Sequence, residues 1–465
     1  KIQQRSSMTR PELAKARFRK LAATASFADL SPPETRTQRR RLRACQECDW
    51  VSALPPLKPG EKASCPRCEH TLVKRHRYPA QRSMALAISA LVALILAVSF
   101  PFVRFSVSGI GNEIELTQTA TTLIGFHQPV VAIAVIMSIV VLPAVYLIGL
   151  IWLQFSLLIN RKLAFSKDVA RSLTHLTPWL MTDVFIVGAL VSLIKIAGIA
   201  QITLGASFWA FCAFAVLLLF TIQSVDADWM WFSLEDGEPL APKGTQAGTT
   251  AARQGVIGCT TCGLINRSNE DARKSRCIRC HERLHSRYPH SLQRTWALLA
   301  AAIVMYIPAN IYPIMNTVSL GNESPSTIIG GVVELIQMGS WPIALVIFVA
   351  SVIVPVGKLV ALVWLCLVVN RSSELNAHNR TVIYRVTEFI GRWSMVDVFV
   401  VAILVALIRA GSLMSITPGP AALAFGSVVV LTMLAAMMFD PRLIWDTPLP
   451  RRRRRTHVNQ EPVDG

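Results

Sequence analysis

The chain has 465 residues, 52% of them hydrophobic and only 16% charged, against about 25% charged in ordinary soluble domains, so the composition excludes a simple soluble globular protein and points to the membrane. Its formal net charge is +19, but Lys and Arg crowd the segments between apolar runs and the tract Arg451 to Arg455, which argues for loops facing an anionic leaflet and against nucleic acid. The first 80 residues are polar and basic, without the short apolar core and small-residue site of a cleavable signal peptide; the first Met is Met8, which leaves the origin of the residues before it open.

Along the chain, a basic tail (1–42) precedes a four-cysteine segment (43–78) and an apolar module (79–232). A linker rich in Gly, Ala, Thr and Pro (233–256) leads to a second four-cysteine segment (257–288), a second apolar module (289–446) and a basic C-terminal tail (447–465). Eight apolar stretches are long enough to cross a bilayer as helices: 82–104, 127–158, 179–199, 206–225, 291–314, 340–369, 393–411 and 419–439. Pro143 and Pro355 predict a tilt or a kink in the second and sixth. The loop 159–178 carries Arg161, Lys162, Lys167 and Arg171, and the loop 370–392 carries Arg371, Arg380, Arg385 and Arg392. By contrast, 105–126 and 315–339 hold acids and no Lys or Arg. The positive-inside rule then places both termini and the middle segment in the cytoplasm. The segments 105–126 and 315–339 face the other side and predict small strands or amphipathic turns.

The two modules repeat. Trp179, Met181, Asp183 and Phe185 match Trp393, Met395, Asp397 and Phe399 at a shift of 214, which also maps Lys195 onto Arg409, Thr203 onto Thr417, Asp226 onto Asp440 and Trp231 onto Trp445. At 212, Pro143 and Trp152 map onto Pro355 and Trp364; at 210, Tyr78 and Pro79 map onto Tyr288 and Pro289. Four helices per unit is an even number, so the halves run parallel about an axis along the membrane normal. The expected fold is an all-α membrane protein of two tandem parallel repeats, each of four transmembrane helices preceded by a small cytoplasmic zinc ribbon.

Each ribbon carries two CxxC pairs. Cys45 and Cys48 are followed after 16 residues by Cys65 and Cys68, and Cys259 and Cys262 after 14 residues by Cys277 and Cys280. Four thiolates on two tight turns can surround one tetrahedral ion, so two structural zinc ions are expected, with iron in a rubredoxin-like site as the alternative. A reducing cytoplasm argues against disulfides. Two further patterns are rejected. Cys277-Ile-Arg-Cys280-His281 matches covalent haem attachment, but its cysteines already have partners; His281-Glu-Arg-Leu-His285 matches a zinc-protease HExxH, but begins beside a knuckle cysteine. No phosphate-binding loop or catalytic triad is visible, so no enzyme is expected.

Ionisable residues inside apolar spans are costly and default to function. Lys358 lies 12 residues before Asn370, about 18 Å along a helix and near the midplane. Its repeat position is Tyr146, so the halves differ where this charge sits. Ser351, Lys358, Ser394, Asp397 and Thr417 read as a polar relay that can pass a proton, with a static Lys358–Asp397 ion pair as the alternative. Asp183 and Asp397 also suit helix entry, and Lys195 and Arg409 also suit snorkelling at the far ends. Cys212 and Cys366 read as packing residues.

With these motifs, and with Arg287-Tyr-Pro-His-Ser291, Pro308-Ala-Asn310, Gly391-Arg-Trp-Ser-Met-Val-Asp397, Thr417-Pro-Gly-Pro-Ala-Ala422 and Asp440-Pro-Arg-Leu-Ile-Trp-Asp446, the chain resembles the paraquat-inducible protein A family, the PqiA/LetA group, from about Cys45 to Asp446. The Ser351–Lys358 segment and Trp393-Ser-Met-Val-Asp397 look closer to its LetA branch. The resemblance implies a Gram-negative inner-membrane protein beside a periplasmic MCE-domain tunnel partner. It implies loading phospholipid into that tunnel or receiving it, with a proton gradient as a plausible energy source. A passive anchor for the MCE partner and a thiol or iron oxidoreductase are the competing functions.

Overall fold

The computed structural model describes residues 39, 41–107, 110–115, 133, 136–159, 165–197, 201–235, 240–268, 275–319, 322–337, 339, 341–369, 374–393, 395–396, 399–400, 403, 409–410 and 414–446. Among the described residues, seven helices are long and apolar enough to cross a membrane. The eighth expected span, 393–411, falls largely outside the described residues.

In the first half, α1 (Pro79–Ser99) opens on a proline, which needs no helical partner for its missing N–H. Strands β5 (Pro101–Val107) and β6 (Ile110–Glu115) form a hairpin, and α2 (Leu142–Leu158) follows. The segment read as the loop 159–178 contains a helix, α3 (Ser166–Leu176). Then come α4 (Thr182–Ala197), β7 (Gln201–Leu204), α5 (Ala206–Ser224) and the short α6 (Ala227–Ser233). Strand β7 pairs with β5, closing a three-stranded sheet at the end of the molecule away from the cysteine ribbons.

The second half repeats this plan. Helix α7 (Ser291–Ile311) leads into the hairpin β10 (Met315–Ser319) and β11 (Asn322–Ser326). Helices α8 (Ile328–Gln337), α9 (Trp341–Phe348), α10 (Val354–Val368) and α11 (Glu374–Trp393) follow. Last come β12 (Arg409–Ala410), β13 (Met414–Pro418) and α12 (Pro420–Met438), with the sheet ordered β11-β10-β13-β12. Reading 370–392 as a loop is corrected by α11: its many charged residues stand in an amphipathic helix, which a hydropathy scan registers only as polarity.

Both prolines sit beside a specific device. Pro143 and Pro355 each stand in the first turn of an α segment preceded by a π-helical turn, Met137–Val141 and Val349–Ile353. The wider turn absorbs the proline's ring and its missing donor. A second device is shared by Gly205 and Gly419, where a Cβ would overlap the carbonyl oxygen of Pro101 or Pro313. Each glycine lets the start of the last long helix press against the strand of the first hairpin.

The halves meet at α4. Phe185 packs edge-on against its repeat partner Phe399, with ring centroids 5.4 Å apart. Gly188 leaves room for Phe399, the Val396 carbonyl and the Val400 nitrogen, and the Ser192 hydroxyl donates to the Val400 carbonyl at 3.3 Å. Phe102, Phe208, Phe211 and Phe214 continue this aromatic core into the first half.

Candidate functional site

Each ribbon is built from two hairpins. In the first, β1 (Leu42–Ala44) pairs with β2 (Val51–Ala53) and β3 (Lys62–Ser64) with β4 (Thr71–Lys74); in the second, β8 (Val256–Gly258) pairs with β9 (Ile265–Arg267), and a single antiparallel bridge between Arg276 and Arg283 closes the other turn. All four CxxC turns share one geometry. The residue after the second cysteine (Asp49, Glu69, Gly263 or His281) has φ between 57° and 71°. Its N–H donates to the carbonyl of the first cysteine at 2.9–3.0 Å. This left-handed step turns both sulfurs inward. It also disposes of the HExxH pattern, because His281 occupies the turn and does not share a helix face with His285.

The four sulfurs of each ribbon lie within 4.8 Å of one another, with the closest pairs 3.4–3.5 Å apart. A disulfide would need about 2.05 Å. A tetrahedron with legs of about 2.3 Å has edges of about 3.8 Å, so the donor sets fit a thiolate-seeking ion such as zinc. All eight cysteines are buried, and the Asn266 amide donates toward Cys277 Sγ at 3.6 Å, the kind of outer contact that orients a ligand. Bound there, the ion would supply cross-linking of the two turns.

Both ribbons are wired to both halves. At its base, ribbon 1 holds its own module: Arg43 and Arg75 bind Asp228 at 2.7 and 3.1 Å. Burial opposes the charge on Asp228, but the two guanidiniums keep its carboxyl below the ordinary carboxylate range. At its knuckle, ribbon 1 reaches the other module. Arg385 on α11 donates to both oxygens of Glu47 and to the Cys68 carbonyl, and Arg67 stacks between Trp50 and Trp445. Burial likewise opposes the Glu47 charge, yet His70 and Arg385 hold that carboxyl low. Ribbon 2 mirrors this. Arg287 bridges Asp446 of its own module and Asp49 of ribbon 1, while Glu282 meets His175 and Arg171 on α3 and Arg279 meets Glu235 at 2.8 Å. Arg171 and Arg385 are repeat partners at a shift of 214, so each ribbon crosses to the equivalent helix of the opposite half. Residues 248–252 of the connecting segment also add backbone hydrogen bonds to Asp49 and Val51.

The predicted relay residues divide. Lys358 on α10 is 3% exposed, and its Nζ has no hydrogen-bond partner among the described residues. Ser351 is buried in the π-helical turn of the same helix. Asp183 stands half-buried in the first turn of α4, where the helix dipole favours an acid. Lys195 lies in α4, Arg409 in β12, and Thr417 in β13 opposite Asn316. Ser394 and Asp397 lie outside the described residues.

Sequence reasoning missed the glycine against which Lys358 lies. A Cβ on Gly391 would lie 3.0 Å from Nζ, so the ammonium occupies the space that this glycine leaves. The signal was available: Gly391 is the repeat partner of Thr177, as Lys358 is of Tyr146, and the side chain lost at one position makes room for the charge gained at the other. Thr177, Gly391, Lys358 and Glu388 line one cavity at the seam of the halves.

Comparison with known proteins follows this geometry. The family model for paraquat-inducible protein A matches twice, over residues 80–235 and 292–448. The chain is 41% identical over 409 residues to the intermembrane transport protein PqiA of Escherichia coli (strain K12), covering 86% of this chain and 95% of that one. It is 29% identical over 402 residues to the lipophilic envelope-spanning tunnel protein A of the same organism, covering 86% and 90%. It is also 29% identical over 412 residues to a probable intermembrane transport protein of Haemophilus influenzae, covering 87% and 96%. No solved structure matches. Whole-chain identity thus favours PqiA over the LetA branch to which the second-half motifs pointed. With its two matching modules, its membrane-length helices and its paired four-cysteine centres, the chain belongs to the paraquat-inducible protein A family.

Proposed function

We propose that this multi-pass membrane protein passes phospholipid between a Gram-negative inner membrane and a periplasmic MCE-domain tunnel partner. The observation that carries the reading is the 41% identity, over nearly the whole chain, to a protein named for intermembrane transport. The name of the second relative adds a lipophilic tunnel spanning the envelope. In this reading each unit has four transmembrane helices, and the ribbons and both termini are cytoplasmic, because the basic loops cluster on the ribbon side. The two small sheets then face the periplasm, where the partner docks. Two zinc ions hold the ribbons, whose crossed contacts tie movement of one half to the other.

The energy source in this reading is a proton gradient acting on the second half. Lys358 is the centre of the relay, because a buried ammonium with no hydrogen-bond partner among the described residues is poised to respond when its surroundings change. Ser351, Ser394, Asp397 and Thr417 complete the path, and Asp183, Lys195 and Arg409 shape its surroundings. The chain acts as a transporter and not as an enzyme.

The test is transfer of labelled phospholipid from vesicles holding this protein to the purified MCE partner. Transfer well above that from protein-free vesicles is expected. Equal transfer would reduce the chain to an anchor for its partner.

A further inference from the structure

At the foot of ribbon 1, positive charges converge where α1 begins. Lys62 and Lys74 stand directly opposite each other in the β3–β4 pair, a cross-strand placement in which like charges repel. The Lys74 ammonium donates to the Gln223 carbonyl at the end of α5, at 3.4 Å. Burial, and then Lys62 and Arg82, push Lys74 below the ordinary lysine range. Arg77 stacks on Tyr78 at 5.4 Å, and Arg77, Tyr78 and Arg82 are exposed. The acids of the adjoining segments are engaged elsewhere: Glu61 accepts the Lys58 N–H at 2.9 Å, and Arg75 reaches Asp226 at 3.5 Å and Asp228 at 3.1 Å.

This cluster belongs to the first half. The shift of 210 that aligns Tyr78 with Tyr288 puts Leu284 at the place of Lys74 and Leu292 at that of Arg82. A fixture of the ribbon fold alone would recur in both halves.

Depth narrows the choice of ligand. Helix α1 has 21 residues, about 31 Å at 1.5 Å each, which matches the hydrocarbon thickness. Arg82 is its fourth residue, so the cluster lies where bilayer headgroups lie. The first large apolar side chain exposed on α1 is Ile88, about 9 Å further along the axis, where acyl chains run. A phosphodiester carried on acyl chains fits this order, and a soluble anion would use only half of it.

We propose that Lys62, Lys74 and Arg82 form a seat for the phosphate of an anionic phospholipid, with Arg77 and Tyr78 at its rim. The bound lipid relieves the repulsion across β3–β4 and ties ribbon 1 to its leaflet. The inference rests on the membrane placement proposed above and adds a lipid class and its site.

The experiment is lipid retention by the full-length protein in detergent, offered equimolar phosphatidylglycerol and phosphatidylcholine, with the lipid kept through repeated washes identified by mass spectrometry. The wild type should prefer phosphatidylglycerol. Lys62→Gln, at an exposed position that spares the fold, should cut that preference about fivefold, and Lys62→Gln with Lys74→Gln about 30-fold, the scale of one and two basic residues at a membrane surface. Lys243→Gln with Arg253→Gln removes the same charge from exposed positions on the connecting segment and should leave the preference unchanged. Equal preference in the wild type and the Lys62 variants would overturn the proposal. So would an equal loss in the control, which would make the effect one of net charge, or full displacement of the lipid by inorganic phosphate, which would make the site one for a soluble anion. Retention needs neither partner nor gradient: selective retention without transfer refutes the loader alone, and transfer with no change in the Lys62 variants' retention refutes the lipid seat alone.

Discussion

Replacing Arg385 by Ala tests whether the crossed docking of the ribbons holds them in place. Arg385 donates through Nε to both Glu47 oxygens at 3.1 and 2.9 Å and through its terminal nitrogen to the Cys68 carbonyl at 2.7 Å. Glu47 is 12% exposed and Arg385 31%, so the contact is partly screened and falls between a surface pair and a buried one. Glu47 keeps His70 after the substitution. Truncation should then cost about 2 kcal/mol, with a coupling of about 1 kcal/mol to Glu47→Ala in a double-mutant cycle. If the bound metal escapes only when the ribbon undocks, 2 kcal/mol is about a 30-fold faster release from ribbon 1. Release into a coloured chelator, followed in time, should show one accelerated phase and one unchanged phase from ribbon 2. Arg171→Ala is the matched control: Arg171 approaches Glu282 only to 4.0 Å, and its loss should change release less than threefold. Arg385→Ala release within twofold of wild type in both phases would refute the docking argument.

Gly391→Ala should displace the Lys358 ammonium while costing under about 1 kcal/mol in stability, because the atom met is the end of a flexible chain. Thermal unfolding near wild type with lost phospholipid transfer is the expected pair of results. Cys262→Ser should halve the metal content measured by mass spectrometry, since the two four-cysteine centres share no ligand. The Asp228 carboxyl is held low in the fold, so its stabilisation is present at neutral pH and is lost as pH falls below about 4. Asp228→Asn should accordingly be less stable than wild type at pH 7, and the two unfolding temperatures should converge toward pH 3.

Legibility in the sequence followed the range of the interactions. The CxxC turns and seven of the eight membrane-length runs are local patterns, and each of these appears among the described residues where its spacing places it. The 214-residue repeat exposed Phe185 and Phe399, which meet at the seam. The crossed ribbons could not be read, because Arg385 and Glu47 are 338 residues apart and each alone looks like a solvated charge. Glu388 was passed over for the same reason, on a segment taken for a loop. Gly391 carried no signal until it was set against Thr177, since an absent side chain matters only beside the group that fills its place.

The most direct test of the account is phospholipid transfer to the MCE partner under an imposed pH gradient, comparing wild type with Lys358→Ala. The account predicts transfer that needs the gradient and falls to background in the variant, with both proteins equally folded and metal-loaded. Equal transfer by the two, with or without the gradient, would contradict it and leave the buried ammonium a structural feature.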